Sequence, residues 1–128
     1  DHRRRLDEAT GRHRAHRNAG LRGALDHEGV PETICDGLRG TLGAPNFALL
    51  RASGARVLTV ADARTVAAMR LLWTRSKQLV EPSSAIALAA VLAHPALFAG
   101  RRVGIILSGG NVDLDALPGL FALAGDAA

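Results

Sequence analysis

The sequence predicts an α/β fold, with helices packed on a mainly parallel sheet. Three observations point there. Short runs of branched apolar residues stand at 56–60 and 102–107, a helical apolar stripe directly follows the first run, and a nearly all-apolar helix lies between the two. Strand, helix, helix, strand, helix is the order of an alternating chain whose strands are joined by helical crossovers, not of a bundle or a sandwich.

Taken in order, residues 1–29 stand apart from the rest. They carry seven arginines, five acids and four of the five histidines, with Leu6, Leu21 and Leu25 the main large apolar side chains. A segment so poor in apolar surface cannot build a core of its own. From Val30 onward apolar runs alternate with Gly and Pro, as packed elements joined by turns do. Arg56 to Val60 reads as a short strand. Asp62 then opens a helix reaching about Lys77, in which Val66, Met69 and Trp73 recur at helical spacing with Leu72 beside them as a buried stripe. Pro82 suits the first turn of a second helix, where its missing N–H has no partner to lose. That helix runs from Ser83 to His94 without a polar face, so it should be a central packing element. Arg102 to Leu107 reads as a buried strand ending in Ser108, Gly109, Gly110 and Asn111, and Asp115 can cap a last short helix.

Composition narrows the function classes. At 128 residues, 48% hydrophobic and 22% charged, the chain has the mix of a soluble domain or a piece of one. The apolar run at 85–93 is too short for the roughly 20 residues that span a bilayer, so no membrane partner is expected and the expected location is the cytoplasm. A single cysteine, Cys35, forms no internal disulfide and fits a reducing compartment. The net charge of +4 is almost all arginine, Lys77 being the only lysine. With only 3% aromatics the chain lacks the stacking surface of a single-strand nucleic-acid binder, and no nucleic-acid partner is expected.

On residue chemistry alone each candidate site keeps two readings. The Ser108–Asn111 stretch lies at the carboxyl end of a predicted strand, where ligands of open α/β sheets bind, but Gly-Gly after a strand is also an ordinary turn. Glu81 is either a helix cap or a carboxylate at a site, and Lys77 either complements a helix C-terminus or does chemistry. Asp36 and Gly37 are turn residues, with Gly37 able to admit a flat ligand against the backbone. His13 and His16 share a helical spacing, but no carboxylate completes a ligand set, and no metal site is expected.

Read together, PETICDGLRGTLGAPNF at 31–47, MRLLWTRSKQLVEPSSAIALAAVL at 69–92 and VGIILSGGNVDL at 103–114 resemble the C-terminal part of the pyridoxal-phosphate-dependent threonine/serine dehydratases and serine racemases, of the tryptophan-synthase-β fold type. The resemblance runs from about Val30 to Leu117. It implies a partial three-layer open sheet of fold type II over residues 30–128, with pyridoxal 5'-phosphate as cofactor. It further implies that Ser108 hydrogen-bonds the pyridine nitrogen, that Gly109, Gly110 and Asn111 shape that edge of the pocket, that Gly37 lies against one face of the ring, and that Glu81 borders it. A neutral hydroxyl at the pyridine nitrogen leaves that nitrogen uncharged and tempers the ring as an electron sink, which suits elimination more than transamination. The implied reaction removes water from a small hydroxy amino acid to give a 2-oxo acid and ammonia. Racemisation is the alternative within the same family.

The departures from the pattern carry expectations of their own. The family's Schiff-base lysine, substrate-carboxylate loop and glycine-rich phosphate loop belong to a more N-terminal segment, so no catalytic residue is assigned within these 128 residues. Lys77 matches a lysine near the Glu-Pro motif in some members and is not the Schiff-base residue. Cys35 stands where alanine is more frequent, and residues 1–29 do not match the acidic cation-binding loop of many members. The expectation is a fragment of a dehydratase-like lyase, inactive by itself and partnered by a second copy or by a complementing N-terminal half. The rival reading is a non-catalytic binding module whose basic arm meets an acidic partner.

Overall fold

The computed structural model describes residues 32–125. The Arg/His-rich segment 1–29, with His13 and His16, lies outside the described residues. A short 3₁₀ turn at Asp36–Leu38 is followed by helices α1 (Ala44–Ala52), α2 (Asp62–Leu71), α3 (Pro82–Ala93), α4 (Pro95–Phe98) and α5 (Leu117–Gly125). α2 runs on into a π-helical stretch, Leu72–Ser76.

The core forms because the predicted stripe of α2 finds two partners. Val66 and Met69 are fully buried and Leu72 nearly so, against α3 on one side and α5 on the other. Met69, Leu72, Val80 and Ala85 make one cluster, with Trp73, Leu88, Leu117 and Phe121 packed around it. A second cluster of Val60, Ala68 and Ala89 extends the same α2–α3 contact. The small residues of α3 allow its backbone to approach α2 closely. Trp73 meets Phe121 edge-on at 5.9 Å, the geometry the ring quadrupoles favour. The Arg70 guanidinium lies 5.2 Å from the Phe121 ring centre, a second tie between α2 and α5.

The wider π turn has a visible consequence. It ends at Lys77 in the left-handed conformation, φ +56°, and the chain turns back so that Val80 is buried and its carbonyl accepts the Trp73 indole N–H at 2.9 Å. The Lys77 ammonium donates to the Thr74 carbonyl at 2.8 Å, the helix-terminal role that its position suggests. From this anchored segment the chain enters α3 through Glu81, with Pro82 in the first turn.

Two expectations are corrected, for Asp115 and for α3, and a third, the sheet, has no ladder to carry it among the described residues. Among the described residues no strand ladder forms: 55–61 and 101–113 are without regular structure. The run expected as a buried strand is instead largely uncovered, with Ile106 84% exposed, because apolar character specifies a strand's burial only when neighbouring strands and a covering layer are present. Asp115 does not cap α5. The helix begins two residues later, and the Asp113 carboxylate accepts the Asp115 N–H at 3.0 Å in the turn before it. The α3 helix touches α2, α4 and the 3₁₀ turn, but Leu92 near its end stays 53% exposed, so its central packing holds for its first half.

Candidate functional site

The first turn of α3 is where the distant motifs meet. Glu81 occupies the N-cap position, yet its carboxylate makes no capping bond to the helix. Instead its Oε2 accepts the Asn111 N–H at 2.9 Å, and its own N–H donates to the Gly109 carbonyl at 3.1 Å. Ser84, 2% exposed, accepts the Gly109 N–H at 2.8 Å and donates to the Gly109 carbonyl at 2.9 Å. On the other side Ser83 accepts the Gly37 N–H at 3.0 Å and donates to Asp36 Oδ1 at 3.3 Å. The sequence-predicted residues Gly37, Glu81, Gly109 and Asn111 are thus joined in one hydrogen-bonded set, although up to 74 positions separate them (111 − 37).

Gly110 joins the set by packing. An added Cβ there would lie 2.6 Å from the Leu79 carbonyl oxygen, and at Gly109 it would lie 2.5 Å from Glu81 Oε1. At Gly37 it would sit 3.1 Å from Ser83 Oγ. The glycines therefore let the 3₁₀ turn and the 108–111 turn close on residues 79–83. Ser108 is exposed, and its hydroxyl has no hydrogen-bond partner among the described residues.

Sequence reasoning missed Ser83 and Ser84. Their signal was present in the second and third positions after Glu81, where a short hydroxyl in a first turn can bond outside its own helix. Their partners lie 46 and 25 residues away, which no local pattern reveals.

Thr33 and Cys35 brace the 3₁₀ turn from behind. Thr33 Oγ1 accepts the Cys35 N–H at 3.0 Å, and the Arg39 guanidinium donates twice to the Thr33 carbonyl, at 3.2 and 2.7 Å. Burial pushes the Cys35 thiol up from 9.0 to about 11, with the Asp62 and Asp36 carboxylates adding to the rise against the Thr33 hydrogen bond and Arg39. The folded state therefore holds the thiol proton more tightly than the unfolded chain, so this contribution is complete below pH 9 and is lost between pH 9 and 11. Wild type should lose about 2 kcal/mol more stability than Cys35→Ala over that window, measured by urea unfolding at pH 8 and 10.5. Parallel losses in the two proteins would contradict it.

Among the described residues no helix is long and apolar enough to cross a membrane. No group of three His, Cys, Asp or Glu side chains gathers as a metal-ligand set among them either.

Comparison with known proteins supplies the context for this set. A β-hydroxyaspartate dehydratase of Paracoccus denitrificans (strain Pd 1222) is 42% identical over 96 residues, 75% of this chain and 30% of that protein. A serine racemase of Dictyostelium discoideum is 42% identical over 93 residues, 70% of this chain and 28% of the other. A solved threonine deaminase from T.th. superposes with a TM-score of 0.68 at 42% identity, covering 78% of this chain and 32% of that one. The chain spans about 30% of the length of the curated relatives it matches. The family model described as pyridoxal-phosphate dependent enzyme matches residues 8–109, beginning inside the Arg/His-rich segment. With most of its length matched in this way, the chain belongs to the pyridoxal-phosphate dependent enzymes.

Proposed function

We propose that this chain supplies the ring-binding side of a lyase that removes water from a small hydroxy amino acid, releasing a 2-oxo acid and ammonia. The observation that carries this reading is the state of the 108–111 turn. Its peptide groups are tied to the first turn of α3, while the Ser108 hydroxyl beside them is left without a partner among the described residues. The Glu81 carboxylate, the nearest charged group in that set, is engaged by the Asn111 N–H. The donor offered to a pyridine nitrogen is therefore neutral, which fits the ring of pyridoxal phosphate in an elimination. Ser108 would hold the ring nitrogen, Gly37 one face, and Glu81, Gly109, Gly110 and Asn111 the surrounding edge.

When bound, pyridoxal phosphate withdraws electron density from the substrate's α-carbon. Loss of the α-proton and β-hydroxyl as water, and hydrolysis of the resulting enamine, would give the 2-oxo acid and ammonia. The contribution of these residues is to orient the ring and limit its electron demand. The lysine that carries the cofactor is not Lys77, whose exposed ammonium is held on the Thr74 carbonyl. These 128 residues by themselves are accordingly inactive, and the partner they need is a chain segment that brings that lysine. The segments 55–61 and 101–107 would, in this reading, join a fold type II sheet, and the exposed apolar side chains of Val103, Ile106 and Leu107 support it.

The relatives named as hydroxyaspartate dehydratase and ammonia-lyase favour elimination from a 3-hydroxy amino acid; those named as serine racemase favour inversion at the α-carbon. A chimaera decides between them: residues 33–125 replace the matching segment of the Paracoccus dehydratase, and purified protein is assayed with 3-hydroxyaspartate, serine and threonine. Bound-cofactor absorbance with 2-oxo acid and ammonia in equal amounts is the expected result. Inverted amino acid without ammonia would transfer the reading to racemisation, and a folded chimaera that holds no cofactor would overturn the site.

A further inference from the structure

The two serines that follow Glu81-Pro82 have a task that capping does not explain. In the first turn of a helix a serine hydroxyl ordinarily meets water or a nearby backbone N–H. Ser83 and Ser84 instead reach outward, to different segments. Ser83 holds Gly37 and Asp36, and Ser84 holds Gly109 through both its N–H and its carbonyl. Those two bonds fix two consecutive peptide planes, the one joining Ser108 to Gly109 and the one joining Gly109 to Gly110. Glu81 fixes the next through the Asn111 N–H. A glycine has no side chain to restrict its dihedrals, so without such bonds the Gly-Gly pair would be the loosest part of the turn.

We propose that Ser84 is a positioning residue for cofactor binding, setting where the Ser108 hydroxyl is presented by clamping the peptide that follows it. The proposal rests on the assignment of Ser108 to the pyridine nitrogen. The link is covalent geometry: the Gly109 N–H and the Ser108 carbonyl share one rigid peptide plane. Holding that N–H therefore fixes where the Ser108 Cα sits and the axis of its Cα–C bond, and so the point from which the side chain is presented relative to the turn. Burial makes the clamp effective, because at 2% exposure water does not compete for the Ser84 hydroxyl. Ser83 does the corresponding work for Gly37. Neighbouring helical positions point about 100° apart, so a Ser-Ser pair is suited to grip two segments that flank a ring.

The test uses the apo form of the chimaera described above, whose remaining segment completes the cofactor site, and pyridoxine 5'-phosphate, the alcohol form of the cofactor, which cannot form a Schiff base. Binding is followed by equilibrium dialysis and by the ¹⁵N shift of the labelled pyridine nitrogen. Amide exchange at Gly109 is measured in parallel. Ser84→Ala is expected to bind about tenfold more weakly, to move the ¹⁵N shift toward that of the free ligand and to speed Gly109 exchange at least as much, on the scale of one buried hydrogen bond lost. Ser84→Thr, which keeps the hydroxyl, is expected to restore all three. Ser84→Ala that binds within twofold of the unsubstituted chimaera with an unchanged ¹⁵N shift would overturn the positioning role, even if Gly109 exchanged faster. A chimaera with Ser84 intact that shows no binding would instead remove the Ser108 assignment, and the proposal with it.

Discussion

Gly110→Ala is expected to cost about 1–3 kcal/mol of folding stability, the range for forcing an extra methyl into a packed site, and to release the 108–111 turn from α3. The new Cβ would stand 2.6 Å from the Leu79 carbonyl oxygen and 3.6 Å from its carbon, and that backbone has little freedom to withdraw. Val80, the next residue, is 4% exposed within the main core cluster, and its carbonyl is fastened to the Trp73 indole. The turn must move instead, and it carries the Asn111 N–H away from Glu81 and the Gly109 peptide away from Ser84. Gly104→Ala is the matched control in the same segment, since a Cβ there meets nothing within 4 Å. Urea unfolding of the two variants against wild type checks the expectation, with the Asn111 amide exchange rate reporting the turn. A Gly110→Ala midpoint matching that of Gly104→Ala would show that the close approach to Leu79 relaxes without cost.

What the sequence disclosed follows from which forces are local. The stripe of Val66, Met69 and Trp73, with Leu72 beside it, was legible because side-chain period and helix period are the same physical fact; Val66, Met69 and Leu72 are buried and Trp73 is half-buried against them. Pro82 announced the start of α3 because its ring fits only there without loss. The candidate residues Gly37, Glu81 and Asn111 were legible as motif members, but not their bonds. The Glu81 carboxylate bypasses its own helix for an N–H 30 positions away. The Gly109 and Gly110 positions were legible as members of a turn at a pocket edge, but not that their missing side chains make room for Glu81 and Leu79. The run 102–107 misled in the opposite sense. Branched apolar residues state a preference for burial, and whether Ile106 is covered depends on neighbours that its own sequence does not contain.

Met69→Ala is expected to have the largest effect on stability, a loss of about 2–5 kcal/mol, typical of truncating a fully buried long side chain. Since a domain of this size is stable by about 5–15 kcal/mol, that is a large fraction of the whole. Met69 has no exposed surface and lies in the cluster with Leu72, Val80 and Ala85, against which Trp73 and Phe121 also pack. Two of those neighbours bracket the site: Val80 immediately precedes Glu81, and Ala85 immediately follows Ser84. The cavity left by the lost thioether would open beneath the first turn of α3. Faster amide exchange should therefore appear at Gly109 and Asn111, whose partners stand on that turn, before it appears at Gly37, whose turn is also braced through Thr33 and Arg39. Leu49→Ala, at a side chain 70% exposed on α1, provides the surface reference and should change stability by less than about 0.5 kcal/mol. Hydrogen exchange under native conditions distinguishes two arrangements. If Gly109 and Asn111 lose protection in step with the loss of global stability, the site opens only when the core does. If they lose it well ahead of that, the first turn of α3 is a separately opening unit, and Met69 is what holds it to the rest of the fold.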